Sequence, residues 1–175
     1  MKNILLALLV IASFAACSKP IAPVEKSAES IKITIDSILT LWHADAATAD
    51  ASGYFGSMDS ASIYLGTDAT ENWDKVEFAI FCQPYFKKGK VWEFTAFERN
   101  IYLSQDGKVA WFDELLDTWM GTCRGSGVLE MRGKDWKIKH YVLSVMIPNK
   151  DIDAVVSLKQ ASDSLFRAEY GTLDE

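Results

Sequence analysis

The sequence predicts an α+β domain, a curved antiparallel sheet wrapped on amphipathic helices to enclose a cone, followed by a C-terminal helix. Three observations carry this. Apolar residues recur at three- and four-residue steps over two segments of the first half, the spacing of a helix that buries one side. Four runs of strand-forming residues then follow, parted by short glycine-bearing turns, which is the order of a meander and not of alternating parallel units. The chain of 175 residues is 49% hydrophobic and 24% charged, enough apolar mass for one packed domain and too much for a disordered linker.

The first helix is expected over Ile31 to Asp50. Ile31, Ile35, Ile38, Leu39, Trp42, Ala46 and Ala49 form its apolar stripe, Ser30 stands at its cap, and Asp36, Thr40, His43 and Asp50 lie on the other side, where His43 is expected to be solvated. Ala51 to Asp59 reads as a connector and Ser60 to Gly66 as a short strand. A second helix spans Glu71 to Lys88 with Trp73, Val76, Ile80, Phe81 and Tyr85 on its apolar side, and Pro84 is expected to kink or end it. The four strands are Val91–Ser104, Lys108–Asp117, Thr122–Arg132 and Asp135–Met146. Asp106-Gly107 between alternating runs is a strong hairpin signal. Asn149 is placed as the cap of a last helix from Lys150 to Arg167.

The N-terminus carries an address. Met1-Lys2-Asn3 precedes thirteen apolar or small residues, Ile4 to Ala16, and then Cys17. That run falls short of the ~20 residues a spanning helix needs and has the form of an export signal. Ser13-Phe14-Ala15-Ala16-Cys17 resembles a bacterial lipobox, with Phe14 where an aliphatic residue is usual. The resemblance implies lipidation at Cys17, a bacterial cell-envelope location facing the periplasm, and a lipid anchor. An ordinary cleaved signal with an incidental cysteine is the alternative. Residues 1–16 are then the signal, 17–30 a flexible tether containing Pro20 and Pro23, 31–150 the domain, and 151–175 a helix and tail. Cys82 and Cys123 are expected as buried free thiols, a disulfide being the other state open to an exported protein. A net charge of −6 offers no basic field for a phosphate backbone, so nucleic acid is not an expected partner.

Arg124-Gly125-Ser126-Gly127-Val128-Leu129, Trp136 to Ser144, and Ile147-Pro148-Asn149 look like the end of a SnoaL-like domain of the nuclear transport factor 2-like superfamily. Tyr64-Leu65-Gly66-Thr67-Asp68 followed by Trp73 resembles the family's first strand and turn, and Val109 to Asp113 its central strand. The match runs from about Ile31 to Lys150, and it implies the cone fold and a homodimer. It also permits a comparison with the ketosteroid isomerases of that superfamily. Their catalytic tyrosine falls at Trp42, their aspartate base near Tyr64 or Leu65, and their protonated aspartate near Gly127. None of these side chains can play those roles.

Few residues could carry other chemistry. With His43 and His140 the only histidines and no Cys-x-x-Cys, no metal and no cofactor are expected. Gly125-Ser126-Gly127 lies within strand sequence, so its glycines are expected to serve close packing or a bulge. Period two places His140 with Trp136, Ile138, Val142 and Ser144. It is either a cavity base or ligand donor, or a histidine satisfied by a neighbour. Trp111 and Asp113 share one strand face, opposed to Ala110, Phe112 and Glu114. An Asp113–Arg124 pair would be either a polar anchor in the cavity or a surface ion pair. Trp42, Tyr54, Trp92, Trp111, Arg124 and His140 are the expected ligand-binding residues.

The leading functional expectation is a binding module for a small apolar molecule, since 12% of the residues are aromatic and no catalytic set is matched. An isomerase, cyclase or hydrolase using His140 with Asp113 or Glu114 is the alternative, and a protein-interaction module the third. The homodimer expectation rests on an outer sheet face offering Phe97, Ile101, Tyr141 and Leu143.

Overall fold

The computed structural model describes residues 27–89 and 91–170. Helix α1 (Ala28–Ala47) begins three residues before the expected start, because the Ser27 hydroxyl accepts the Ser30 amide and so caps the chain ahead of Ser30. The connector is itself partly helical: α2 (Ala51–Gly56) is capped by Asp50, which accepts the Gly53 amide. Strand β1 spans Met58–Leu65.

The second expected helix splits in two. Asn72–Asp74 forms the short strand β2 on β1, so Trp73 lies on a strand, and α3 covers Lys75–Lys87. A capping box sets that boundary. Asp74 accepts the amides of Val76 and Glu77 while the Glu77 carboxylate accepts the Asp74 amide. Pro84 does not end α3, which continues to Lys87.

The meander follows as β3 (Thr95–Leu103), β4 (Val109–Thr118), β5 (Gly121–Arg132) and β6 (Asp135–Val145). Residues 91–94 stay outside the first of these strands. The sheet order is β2-β1-β6-β5-β4-β3, and β1 runs parallel to β6, so the sheet is mixed where an all-antiparallel one was expected. After a 3-10 turn at Asn149–Asp151, helix α4 (Ile152–Tyr170) leaves the domain with no buried residue. Asn149 sits inside that turn and makes no side-chain cap. None of the described helices is long and apolar enough to cross a membrane.

One sheet face is covered by α1, α2 and α3. Ile31, Ile35, Leu39, Trp42 and Ala46 of α1 are buried together with Phe78 and Cys82 of α3, against Ala110, Phe112, Leu116, Leu129, Ile138, Tyr141 and Leu143. Cys82 and Cys123 are buried and unpaired, and burial pushes the Cys82 thiol up to about 12.

A β-bulge decides which side chains enter this core. Val128 pairs with His140 but Leu129 pairs with Ile138, leaving Lys139 as an extra residue. The alternation that buries Trp136 and Ile138 therefore restarts, and Tyr141 and Leu143 point inward. His140 joins Val128 and the half-exposed Trp111 on the outer face. Gly127 makes the bend possible, since a Cβ there would run into the His140 carbonyl oxygen.

Candidate functional site

Two adjoining features occupy the covered face, a polar cluster and an aromatic cavity. The cluster is built on Glu114, which stands in the inward row Ala110, Phe112, Glu114, Leu116 and is 1% exposed. Arg99 of β3 is its direct cross-strand partner, and Gly125 of β5 lies opposite on the other side. Glycine is needed there because a Cβ would collide with the Tyr141 hydroxyl and reach within 2.8 Å of Glu114 Oε1.

Both carboxylate oxygens of Glu114 are used. Oε1 accepts His43 Nε2 at 2.8 Å and the Tyr141 hydroxyl at 3.2 Å, and Oε2 accepts Arg99 Nε at 2.8 Å. Arg99 Nη2 also lies 2.8 Å from Oε2 but off the hydrogen-bond angle. Arg99 Nη1 donates to the Asp36 carbonyl and carboxylate and to the Thr40 hydroxyl. One guanidinium thus ties α1 to β4. Burial alone would raise the Glu114 carboxyl, but the His43 hydrogen bond and charge and the Arg99 guanidinium outweigh it and hold it below the usual range. Burial, then the Glu114 charge, pushes the Tyr141 hydroxyl well up, so it serves as a donor.

His43 is therefore not solvated. It is 6% exposed, next to Trp42 on the edge of the α1 stripe. With Nε2 given to the carboxylate, an assignment that follows from this hydrogen bond, Nδ1 has no partner among the described residues. The ring borders a groove of about 320 Å³ between α1 and β3, with Thr40, Ala47, Phe94 and Arg99.

Phe94 separates this cluster from the aromatic cavity. Its ring lies 6.3 Å from His43 on one side and 6.3 Å from Trp92 on the other. The cavity measures about 360 Å³ and is walled by Tyr64, Trp73, Phe78, Phe81, Trp92, Phe94 and Trp119, with Glu71 and Thr67 as its polar groups. Its walls are stacked rings: Tyr64 lies on the buried Phe78 at 3.9 Å, and Trp73 on Phe81 at 4.5 Å toward the mouth.

The six expected ligand-binding residues do not converge. Trp92 lines the cavity. Trp42 and Tyr54 are stacked on each other at 4.9 Å in the solid core behind it, each 1% exposed. Trp111, Arg124 and His140 lie on the outer sheet face, for the reason the bulge gives and because Glu114, not Asp113, takes the inward phase of β4. Arg124 stands opposite Leu115 and Ser144, and Asp113 takes a hydrogen bond from Asn100, so the two do not pair. Of the expected dimer residues, Phe97 is exposed, Ile101 is half-buried, and Tyr141 and Leu143 are core. Arg99 and Tyr141 had no sequence signal as site residues. A glutamate within an otherwise apolar alternating row was the signal for Glu114.

A family model described as a SnoaL-like domain matches residues 35–148. No curated protein matches the chain. Among solved structures, an NTF2-like protein of unknown function from Pseudomonas putida has 11% identity and a TM-score of 0.59, covering 70% of this chain and 91% of its own. The association domain of C. elegans CaMKII has 15% identity and a TM-score of 0.57, covering 67% and 97%. A protein of unknown function with a cystatin-like fold from Nostoc punctiforme has 11% identity and a TM-score of 0.58, covering 70% and 95%. Identities this low speak for the fold alone.

Proposed function

The chain belongs to the SnoaL-like domain family, and from that premise we propose that it is a lipid-anchored binding module of the bacterial cell envelope, facing the periplasm, whose cavity holds a small apolar molecule. The observation that carries this reading is the aromatic cavity of about 360 Å³, where ring faces and edges outnumber the polar groups. N-phenyl-1-naphthylamine, an apolar dye that brightens out of water, should bind the full-length Cys17→Ser protein. Trp92→Ala should weaken that binding about tenfold, the equivalent of about 1.4 kcal/mol for a lost aromatic contact. An unchanged affinity in the variant would remove the cavity from consideration.

The address is tested by the same cysteine. Wild-type protein should fractionate with membranes and migrate as a lipidated species, and Cys17→Ser should yield a soluble or unprocessed form. A variant that fractionates and migrates like wild type would mean that Cys17 carries no lipid.

The proposed homodimer uses the outer face of the sheet. One cross-strand row there runs Tyr102, Trp111, Val128, His140, Ile63, with Tyr102 stacked on Trp111 at 5.8 Å. A face of this kind is commonly covered by a second copy. Light scattering at tens of micromolar should give twice the chain mass, and Trp111→Glu should halve it. A monomeric wild type would defeat the proposal.

An enzymatic reading has one observation in its favour. It rests on His43 and not on the expected His140, which lies on the outer face: Glu114 holds His43 by Nε2 and leaves Nδ1 without a partner among the described residues, beside a groove, the arrangement of a base oriented by a carboxylate. It would transfer protons in an isomerase, cyclase or hydrolase reaction. Turnover that survives His43→Gln would dismiss it.

A further inference from the structure

We infer that the mouth of the aromatic cavity rests on a lipid bilayer, from which the cavity takes an apolar chain. This deepens the binding reading above and depends on it for the occupant.

The mouth is made of side chains that solvent should not favour. Phe81, Tyr85 and Trp119 all line the cavity, yet they are 39%, 42% and 81% exposed. Trp119 stands in the tight β4–β5 turn, where the Thr118 hydroxyl accepts the Met120 amide and donates to the Gly121 carbonyl. The turn thus holds a large ring outward on a short, hydrogen-bonded base. Beside these rings, Val76 and Ile80 extend the apolar surface along α3, at 65% and 68% exposure. Lys87 and Lys88 close its end.

Tryptophan and tyrosine rings gathered with aliphatic side chains are what the bilayer interface accepts, the rings at headgroup depth; Lys87 and Lys88 stand at one end of the patch, and Glu77, Glu93 and Asp117 also border it. The cavity opens within that patch, so an acyl chain could pass from bilayer to cavity without crossing water.

The chain outside the structure supports this occupant over another protein surface. From Cys17 to Ser27, the N-cap of α1, the backbone reaches at most about 35 Å. Ser27 lies at the β3–β4 end of the domain, where Ile31 of α1 approaches Gly107, and the mouth lies toward the β4–β5 turn, about 30 Å away along α1, so a nearly extended tether from a lipid on Cys17 lets the mouth touch the bilayer. The outer sheet face lies on the other side of the sheet from α3, so a dimer formed there would leave the mouth free.

The experiment places the full-length, membrane-purified protein in phosphatidylcholine vesicles with plain or brominated acyl chains. The emission that distinguishes wild type from Trp119→Phe should fall by at least half in brominated vesicles and should resist aqueous iodide. A Val76→Ser, Ile80→Ser double variant, altered only at exposed positions, should lose most of that quenching while keeping its thermal unfolding. Equal emission in both vesicle types, with iodide reaching Trp119 freely, would overturn the proposal. Iodide protection without bromine quenching would also overturn it, since a protein surface would then cover the mouth. Dye binding that depends on Trp92 in the Cys17→Ser protein, found together with no bromine quenching, would sink the docking and leave the cavity reading standing. Loss of that dependence would sink the cavity reading itself.

Discussion

Glu114→Ala should lower stability by about 3–5 kcal/mol, the usual cost of removing one partner from a buried ion pair, and so depress the unfolding temperature by roughly 10 °C or more. The reason lies in what remains. Arg99, with a side chain 6% exposed, would keep its charge and lose the carboxylate that accepts Nε. His43 and the Tyr141 hydroxyl would lose their acceptor as well. Replacing both charged partners with apolar residues, Arg99→Met with Glu114→Leu, should recover much of the loss, because no uncompensated charge is left buried. A double variant no more stable than Glu114→Ala would show that the cluster acts through more than this pair.

Acid should act on the same group. The folded carboxyl of Glu114 titrates below its unfolded value of about 4.3. Its contribution is therefore complete above that pH and is lost as pH falls through the folded value. Asp59 behaves alike. The Ala61 amide, followed by Arg132 and Lys139, lowers it to about 2 against the cost of its burial. Stability should accordingly decline between about pH 4 and 2, and Glu114→Gln should flatten that decline in urea titrations at each pH.

Local signals explain most of the fold's legibility. The α1 stripe, the Asp106-Gly107 hairpin and the two strands of the family-like run from Arg124 each specify an element through nearest neighbours, and each forms within about three residues of its expected bounds. Asp74-Lys75-Val76-Glu77 is a capping box, but the apolar period around Trp73 runs through it, so that a strand reads as the first turn of a helix. The site was harder because it depends on phase. Period two is right for β6 on either side of Lys139, yet one extra residue there exchanges His140 for Tyr141 at the core. On β4 the aromatic Trp111 and the charged Glu114 pull toward opposite assignments. The pairing with Arg99, fifteen residues away, resolves them in favour of a buried carboxylate. Such a pair leaves no trace in local spacing.

Trp42→Ala should be as damaging, about 3–5 kcal/mol. The indole is 1% exposed, stacked on Tyr54 at an interplanar angle of 8°, and met edge-on by Tyr141 at 4.8 Å. Its removal would open a void beneath α1 that stacked rings on either side are poorly able to fill. Trp42→Phe separates packing from polar contact. Indole Nε1 has no hydrogen-bond partner among the described residues, so the smaller ring forfeits only volume and should cost about 1–2 kcal/mol, well below full truncation. The same variant tests the role expected for Trp42 in binding. Because Trp42 stands behind the cavity wall and not in it, Trp42→Phe should leave dye affinity within about twofold of wild type, a change below ~0.5 kcal/mol. A tenfold loss in a variant that melts normally would put Trp42 in contact with the ligand and move the binding site inward, from the cavity walled by Trp92 to the Trp42–Tyr54 stack.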